Sequence, residues 1–166
     1  MRDKKVLFMV QAAAIAAIYV VLTVLFAPLS FGEVQIRFAE GLTVLPYFTP
    51  AAIPGLFVGC IIGNILGGAI PVDIVCGSLA TLAGAALSYL LRKHKFLVPL
   101  PPIVANALVV PFVLYYGYGI NLPIPFMMLT VGIGEIVSCG VIGTILLLAL
   151  DRYKGILFRT EKSASV

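Results

Sequence analysis

A run of 22 residues from Val6 to Ala27 is interrupted by only three polar side chains, those of Gln11, Tyr19 and Thr23. A helix of about 20 apolar residues is long enough to cross a bilayer. The run is longer than the apolar part of a signal peptide and lacks a small-residue cleavage site, so a transmembrane helix is favoured. In the whole chain, 61% of the residues are hydrophobic and 11% are charged. Soluble domains carry about 25% charged residues, so we predict an all-α integral membrane protein with a single domain.

Proline and glycine divide the rest of the chain into further helical segments. Pro46, Pro50 and Pro54 break the region 38–68, because proline removes a backbone donor and clashes with the preceding turn. A second turn lies at Gly67–Pro71, where Pro71 suits the first position of a helix. We therefore predict six spans, at about 6–27, 38–49, 51–68, 71–91, 101–119 and 124–150.

The positions of the basic residues test this number of spans. Ten of the eleven Lys and Arg residues lie in three clusters, at 2–5, 92–95 and 152–162. Positively charged loops stay on the cytoplasmic side. Six spans place all three clusters, and with them both termini, in the cytoplasm. The net charge of +4 is then explained by topology rather than by nucleic acid.

Two patterns of small residues predict close helix packing. Gly55, Gly59, Gly63 and Gly67 recur every four residues in the third span. Small residues let helix backbones approach each other closely in lipid. The first span has a similar stripe, made by the pairs Ala12/Ala16 and Ala13/Ala17.

The strip Phe31–Leu42 lies between two apolar spans and holds three of the few charges away from the chain ends. Polar and apolar residues alternate from Glu33 to Phe38, which is the period of an extended segment. Glu33, Gln35 and Arg37 would face one way. A segment with two such faces is typical of the lid or wall of a binding site.

Glu135 is the most informative charge within the spans. It lies about 11 residues from the start of its helix, hence roughly 16 Å deep at 1.5 Å per residue. An ionisable group near the bilayer centre costs several kcal/mol and predicts a functional site. A protonated glutamate bonded to a neighbouring helix is the alternative. Asn106, at comparable depth, and Asn64 are candidate ligand amides or interhelical hydrogen-bonding groups.

Other polar groups allow two interpretations each. Arg37 is three residues from Glu40 and four from Glu33, so these side chains either contribute to a site or form a solvated or locally paired charge group. Asp73 is either a ligand-binding carboxylate or an anion that favours the start of its helix. The tyrosines at 115, 116 and 118 favour an interfacial belt over a stacking surface.

Several chemistries lack support in the sequence. There is no G-x-x-x-x-G-K-[ST] phosphate loop and no H-E-x-x-H motif. The three cysteines have no metal-ligand spacing and are expected to be small core residues. The single histidine, His94, lies in a basic loop away from any serine nucleophile. We predict a binder or carrier without a metal or cofactor, not an enzyme.

Three stretches resemble a known family. Phe31–Glu40, Pro71–Leu82 and the helix around Glu135 are similar to the substrate-binding (S) components of energy-coupling factor (ECF) transporters. Among the S components, the three stretches resemble the QueT group, whose members are proposed carriers of queuosine precursors. The resemblance covers nearly the whole chain.

The resemblance implies a subunit of the prokaryotic plasma membrane that binds a small molecule from outside. This subunit would dock on a transmembrane coupling subunit with two ATPase subunits, which would hydrolyse the ATP. The docking surface implied by the resemblance consists of Ala12, Ala13, Ala16 and Ala17.

The implied ligand is a 7-deazaguanine, with a ring N–H and an exocyclic amine beside a carbonyl. A carboxylate accepts from the two donors, and an amide donates to the carbonyl. We expect Glu135 at the ring edge, Asn106 at the carbonyl, and Glu40 or Asp73 at an aminomethyl group. The full set of expected ligand-binding residues is Glu33, Gln35, Arg37, Glu40, Asn64, Asp73, Asn106 and Glu135.

Three alternatives stay open at this stage. The chain could be an S component for another vitamin or nucleobase. It could be a small proton-coupled carrier that works as a homodimer, with Glu135 titrating and the glycine ladder as the dimer face. It could also be a packing subunit without a ligand, although Glu135 and the patterned strip argue against this.

Overall fold

The computed structural model describes residues 2–27 and 36–154, and in these ranges all regular structure is helical. Two of the helices contain wider π turns. The elements are α1 (Arg2–Leu25), the 3-10 helix α2 (Phe38–Tyr47), α3 (Ala52–Leu66), α4 (Pro71–Leu90), a short 3-10 turn (Lys95–Leu97), α5 (Leu100–Phe112) with a π turn (Val113–Gly117), and α6 (Ile124–Glu135), which continues through a π segment (Ile136–Ile142) into α7 (Gly143–Asp151).

Four helical stretches are long and apolar enough to cross a membrane, namely Lys4–Leu25, Pro71–Leu90, Lys95–Gly117 and Ile124–Asp151. The protein is therefore an all-helical, multi-pass membrane protein. The predicted spans 38–49 and 51–68 are helical but shorter. α2 has 10 residues, so at about 2 Å per residue it covers roughly 20 Å of an apolar core about 30 Å thick.

α1 and α3 run parallel to each other. Gly55, near the start of α3, lies against Ala12, and Gly63, near its end, lies against Thr23. α2 therefore carries the chain back from the end of α1 to the start of α3.

Contacts between distant segments define one end of the bundle. The Thr49 hydroxyl donates to Gln11 at 2.9 Å, and Lys95 forms an ion pair with Asp151 at 3.3 Å. This end carries the basic loop that follows α4 and the first residues of the basic tail. We call it the basic end; it comprises residues 4–11, 47–52, 91–100 and 147–154.

Residues 26, 38, 70 and 118 meet at the opposite end. The rings of Phe26 and Phe38 lie 4.4 Å apart between centroids, and the backbone N–H of Ile70 donates to the Tyr118 hydroxyl at 3.4 Å. The end of α1, the start of α2, the turn before α4 and the end of α5 are thus neighbours. We call this end of the bundle the Tyr118 end.

The glycine ladder of α3 packs against α1. A Cβ atom at Gly55 would lie 2.7 Å from the Ala12 carbonyl oxygen, and one at Gly59 would lie 2.9 Å from the Tyr19 Cβ. Only glycine fits at such distances. The predicted close-packing face is confirmed at these positions, but α1 of the same chain occupies it. The dimer face suggested for a homodimeric carrier is therefore already covered.

α2 is the centre of the fold. Its residues from Ala39 to Pro46 are all buried, and it packs against α1, α3, α4, α7 and the π segment. Two glycines permit this close approach. A Cβ at Gly41 would lie 3.2 Å from the Ser138 carbonyl oxygen, and one at Gly143 would lie 2.9 Å from Val44. This packing holds the side chain of Glu40 in the middle of the protein.

Candidate binding site

Glu40 is fully buried and receives hydrogen bonds from two helices. The Tyr19 hydroxyl of α1 and the Thr81 hydroxyl of α4, the latter at 3.0 Å, both donate to its Oε1 atom. Its Oε2 atom has no hydrogen-bond partner among the described residues. A buried acceptor without a donor loses its hydration without compensation, so Oε2 is free to accept from a ligand.

Glu135, on the last turn of α6, lies beside Glu40. The Asn106 amide donates to Glu135 Oε1 at 3.1 Å, and the Cys139 thiol lies 3.2 Å from Oε2. One donor atom each from Glu40, Glu135 and Cys139 fall within 4.8 Å of one another. We call this group the paired-glutamate cluster; its members are Tyr19, Glu40, Thr81, Asn106, Glu135 and Cys139.

A second group surrounds Asp73 in the first turn of α4. Arg37 forms a buried ion pair with Asp73 Oδ2 at 3.4 Å, and the Tyr118 hydroxyl donates to the same oxygen at 2.9 Å. Asp73 Oδ1 has no hydrogen-bond partner among the described residues. Tyr118 lies just beyond the apolar helix Lys95–Gly117, and burial, followed by the charge of Asp73, raises the pKa of its phenol.

Gly77 lets Asn64 join this second group. A Cβ at position 77 would lie 3.1 Å from Asp73 Oδ1, 3.5 Å from the Asn64 amide nitrogen and 3.8 Å from Arg37 Nη1. A Cβ here would press on Asp73 Oδ1 and would be in ordinary contact with the other two groups, so glycine lets the three side chains approach one another closely. We call this group the Asp73 cluster; its members are Arg37, Asn64, Asp73 and Tyr118.

The two clusters are connected along α4 and α3. Asp73, Gly77 and Thr81 recur every four residues, so they lie on one side of α4. Between the clusters, the Cys60 sulfur lies 3.5 Å from both the Asn64 amide and the Thr81 hydroxyl. A continuous series of polar contacts thus runs along α4 and α3, from Tyr118 to Glu40 at the centre of the helix bundle.

The charges in the two clusters are balanced differently. Asp73 has the Arg37 guanidinium beside it, whereas the paired-glutamate cluster contains no cation. Two carboxylates this close cannot both ionise readily in an apolar surrounding. Hydrogen-bond donors or a positive charge from a ligand would relieve this repulsion, whereas an anionic ligand would increase it.

The structure brings together six of the eight expected ligand-binding residues in these two clusters. Glu33 and Gln35 lie outside the described residues. Arg37 has the extended backbone expected at the end of the strip and forms an ion pair with Asp73 of α4. Asp73 therefore does more than favour the start of its helix.

The alanines of α1 divide into two pairs. Ala12 and Ala16 lie against the glycines of α3, and Ala16 is buried. Ala13 and Ala17 are exposed on the other side of the helix.

Sequence reasoning missed several members of the clusters. Tyr19 was passed over as one polar interruption of a span, although a single hydroxyl in a long apolar run is a usable signal. Tyr118 was placed in an interfacial belt, whereas its hydroxyl binds Asp73. Cys139 is buried, as expected, but lies one helical turn from Glu135 and hydrogen-bonds to it.

The spacing of Glu40, Glu135 and Cys139 could also hold a metal ion. Thiolate and carboxylate are both ligands of Zn²⁺. The expectation of no metal site depended on the spacing of motifs along the chain. Such spacing cannot reveal a site whose ligand atoms come from different helices.

Comparison with known proteins identifies the family. The sequence profile described as "QueT transporter" matches residues 9–152, which includes both clusters. The chain belongs to the QueT transporter family.

A curated relative of this QueT family member is named "Queuosine precursor transporter QueT" and comes from Lactococcus lactis subsp. cremoris (strain MG1363). The two are 34% identical over 93 residues, which are 55% of this chain and 54% of the relative. The chain thus spans about half the length of the curated relative it matches. No solved structure matches the chain.

Proposed function

We propose that this protein is the solute-binding subunit (S component) of an ECF-type uptake transporter, and that its ligand is a queuosine precursor of the 7-deazaguanine class. Membership of the QueT family and the name of the Lactococcus lactis relative support the ligand class. The resemblance to S components supports the mode of transport.

The observation that carries the proposal is the Asn106–Glu135 pair beside Glu40. A guanine-like ring presents two adjacent donors, a ring N–H and an exocyclic amine, next to a carbonyl oxygen. Glu135 accepts from the donors, and Asn106, whose amide has a second N–H, donates to the carbonyl. Glu40 Oε2 offers a further acceptor. Donors on the ligand and acceptors on the protein therefore match.

The proposed orientation follows from the basic end. Lysines and arginines there favour the cytoplasm, which puts both termini inside and the Tyr118 end outside. In this arrangement the chain passes the membrane six times, with α2 and α3 as short passages between longer helices. The protein then resides in the plasma membrane of a prokaryote and takes its ligand from the exterior.

Energy for transport would come from partners. The chain has no phosphate loop, so it acts as a non-enzymatic subunit beside a transmembrane coupling subunit and two ATPase subunits. The exposed Ala13 and Ala17 offer a small-residue surface on α1 for the coupling subunit. Ala12 and Ala16, which pack on α3, would support that surface from behind.

Calorimetric binding to the purified protein in detergent tests the ligand class. We expect 7-cyano- or 7-aminomethyl-7-deazaguanine to bind with a dissociation constant in the nanomolar range, about −12 kcal/mol, and riboflavin not to bind. Glu135→Gln should weaken binding at least about tenfold, since it replaces an acceptor by a donor at the ring edge. Failure of every deazaguanine to bind to folded protein would refute the proposal.

The proximity of the Glu40 and Glu135 carboxylates in the interior, where only one ionises readily, favours a second candidate, a proton-coupled carrier. Uptake into cells separates the two. Loss of uptake on inactivation of the partner ATPases supports the S component, and loss on collapse of the proton gradient with the ATPases intact supports the carrier. Binding that disappears with a metal chelator would instead assign Glu40, Glu135 and Cys139 to a metal.

A further inference from the structure

We propose that Asp73 reads the substituent at C7 of the ligand and selects one that carries an N–H donor. The preferred ligand is then 7-aminomethyl-7-deazaguanine rather than its 7-cyano counterpart. This inference rests on the proposed function and goes further, because it chooses between Glu40 and Asp73 as the partner of the aminomethyl group.

Glu40 is too close to Glu135 to bind the other end of the ligand. One oxygen of each carboxylate lies within 4.8 Å of the other. In 7-deazaguanine the exocyclic amine and the C7 substituent project from opposite ends of the two fused rings. Glu40 and Glu135, whose carboxylates are this close, therefore both bind the edge of the ligand that carries the exocyclic amine. The C7 substituent requires a different partner.

Asp73 lies at a suitable distance for this role. It precedes Thr81 by eight residues on α4, a rise of about 12 Å at 1.5 Å per residue. Thr81 donates to Glu40 and so marks the position of the paired-glutamate cluster. Two fused rings with a one-carbon substituent, hydrogen-bonded at each end over about 2.9 Å, cover a separation of this order.

The unpaired atom at Asp73 is an acceptor. Both donors that hold this carboxylate, Arg37 and Tyr118, bind Oδ2. Oδ1 has no hydrogen-bond partner among the described residues, although Asp73 is only 1% exposed. An aminomethyl group donates a hydrogen bond to Oδ1, whereas a cyano group has no donor and leaves Oδ1 unsatisfied.

The charges of the interior agree with a cationic donor at this position. Arg37 neutralises Asp73, which allows the carboxylate to be buried. Together with the paired glutamates, the described interior holds three carboxylates and one guanidinium, a balance that a cationic ligand improves.

The test compares two ligands on three proteins by calorimetry. Wild type should bind the 7-aminomethyl compound about tenfold or more tighter than the 7-cyano compound. Asp73→Asn should weaken the 7-aminomethyl compound about 10- to 100-fold while changing the 7-cyano compound by less than about threefold. Asp151→Asn, which alters a carboxylate at the basic end, is the matched control and should change neither.

The outcomes separate this inference from the proposed function. If neither compound binds wild type, the proposed function fails. If both bind wild type equally, or if Asp73→Asn weakens both to the same degree, the ligand class stands and the role of Asp73 is refuted. Retained binding of the 7-cyano compound also shows that Asp73→Asn has folded. Should that variant not fold, the ratio of the two affinities on wild type decides the question by itself.

Discussion

Asp73 forms an ion pair with the Arg37 guanidinium inside the protein, whereas the hydrogen-bond donors to Glu40 and Glu135 are neutral hydroxyl, amide and thiol groups. The first arrangement is complete in charge and incomplete in hydrogen bonding, because Oδ1 of Asp73 lacks a partner. In the second arrangement two carboxylates lie side by side, and Oε2 of Glu40 also lacks a hydrogen-bond partner among the described residues. The Asp73 cluster is therefore stabilised by its own ion pair, while the paired glutamates gain most from a ligand that supplies hydrogen-bond donors.

Removal of Arg37 should cause the largest loss of stability among the variants considered. Arg37→Gln leaves Asp73 buried without its counter-charge, and loss of one partner of a buried ion pair costs about 3–5 kcal/mol. Glu40→Gln removes a carboxylate charge that lies beside Glu135 and keeps an oxygen for Tyr19 and Thr81, so we expect a change within about 1 kcal/mol. Thermal unfolding in detergent measures both.

The double variant Arg37→Gln/Asp73→Asn is the control for this prediction. It removes both charges together and should recover much of the stability lost in Arg37→Gln. If Arg37→Gln and Glu40→Gln destabilise the protein equally, the two clusters do not differ in charge balance as described.

Two glycine variants test whether the clusters act separately, because each variant disturbs one cluster. In Gly59→Ala the new Cβ would meet Tyr19 Cβ at 2.9 Å and Ala16 Cα at 3.1 Å, atoms that cannot move without α1. Overpacking costs about 1–3 kcal/mol, less up to about 1 kcal/mol from helix propensity, and it shifts Tyr19 away from Glu40. Stability and binding of both deazaguanines should fall.

Gly77→Ala is the matched partner of Gly59→Ala. Its Cβ would meet the ends of flexible side chains, those of Asp73 at 3.1 Å and Asn64 at 3.5 Å. The gain in helix propensity, up to about 1 kcal/mol, offsets the displacement, so unfolding should change little. Binding should weaken more for the 7-aminomethyl than for the 7-cyano ligand. Equal losses of stability in the two variants would contradict the assignment.

Tyr118→Phe should have the smallest effect and should depend on pH. Burial and the nearby charge of Asp73 raise the pKa of Tyr118 in the folded protein, so its stabilising effect is present below the ordinary value of about 10 and lost as the pH rises through the folded pKa. At pH 8 we expect a loss of about 1 kcal/mol or less. Between pH 9 and 11, melting temperatures should fall less steeply in Tyr118→Phe than in wild type; parallel curves would refute this.

The membrane class could be predicted from the sequence because it depends on properties of single segments. The run Val6–Ala27 is apolar whatever it packs against, and the four-residue spacing of the glycines in α3 already specifies a close contact. Both features reappear in the structure, as the helix Lys4–Leu25 and as the α1–α3 interface.

The partners of the polar residues could not be predicted in the same way. Glu135 and Asn106 were each recognisable as costly groups within apolar spans, yet nothing in the sequence fixes the rotation of one helix against another. Arg37 is close to Glu40 and Glu33 along the chain, but its ion pair with Asp73 joins the start of α2 to α4, and local spacing does not specify such a contact. Local spacing also gave no sign that α2 would be a 3-10 helix enclosed by the others.

The enclosed position of α2 has a consequence for how the protein is made. A segment of 10 residues with a carboxylate at its third position is too short and too polar to enter a bilayer by itself. We expect α2 to take its place only when α1 and α4 supply the Tyr19 and Thr81 hydroxyls that bind Glu40. On this view the segment at the centre of the fold is the last of its neighbours to be inserted.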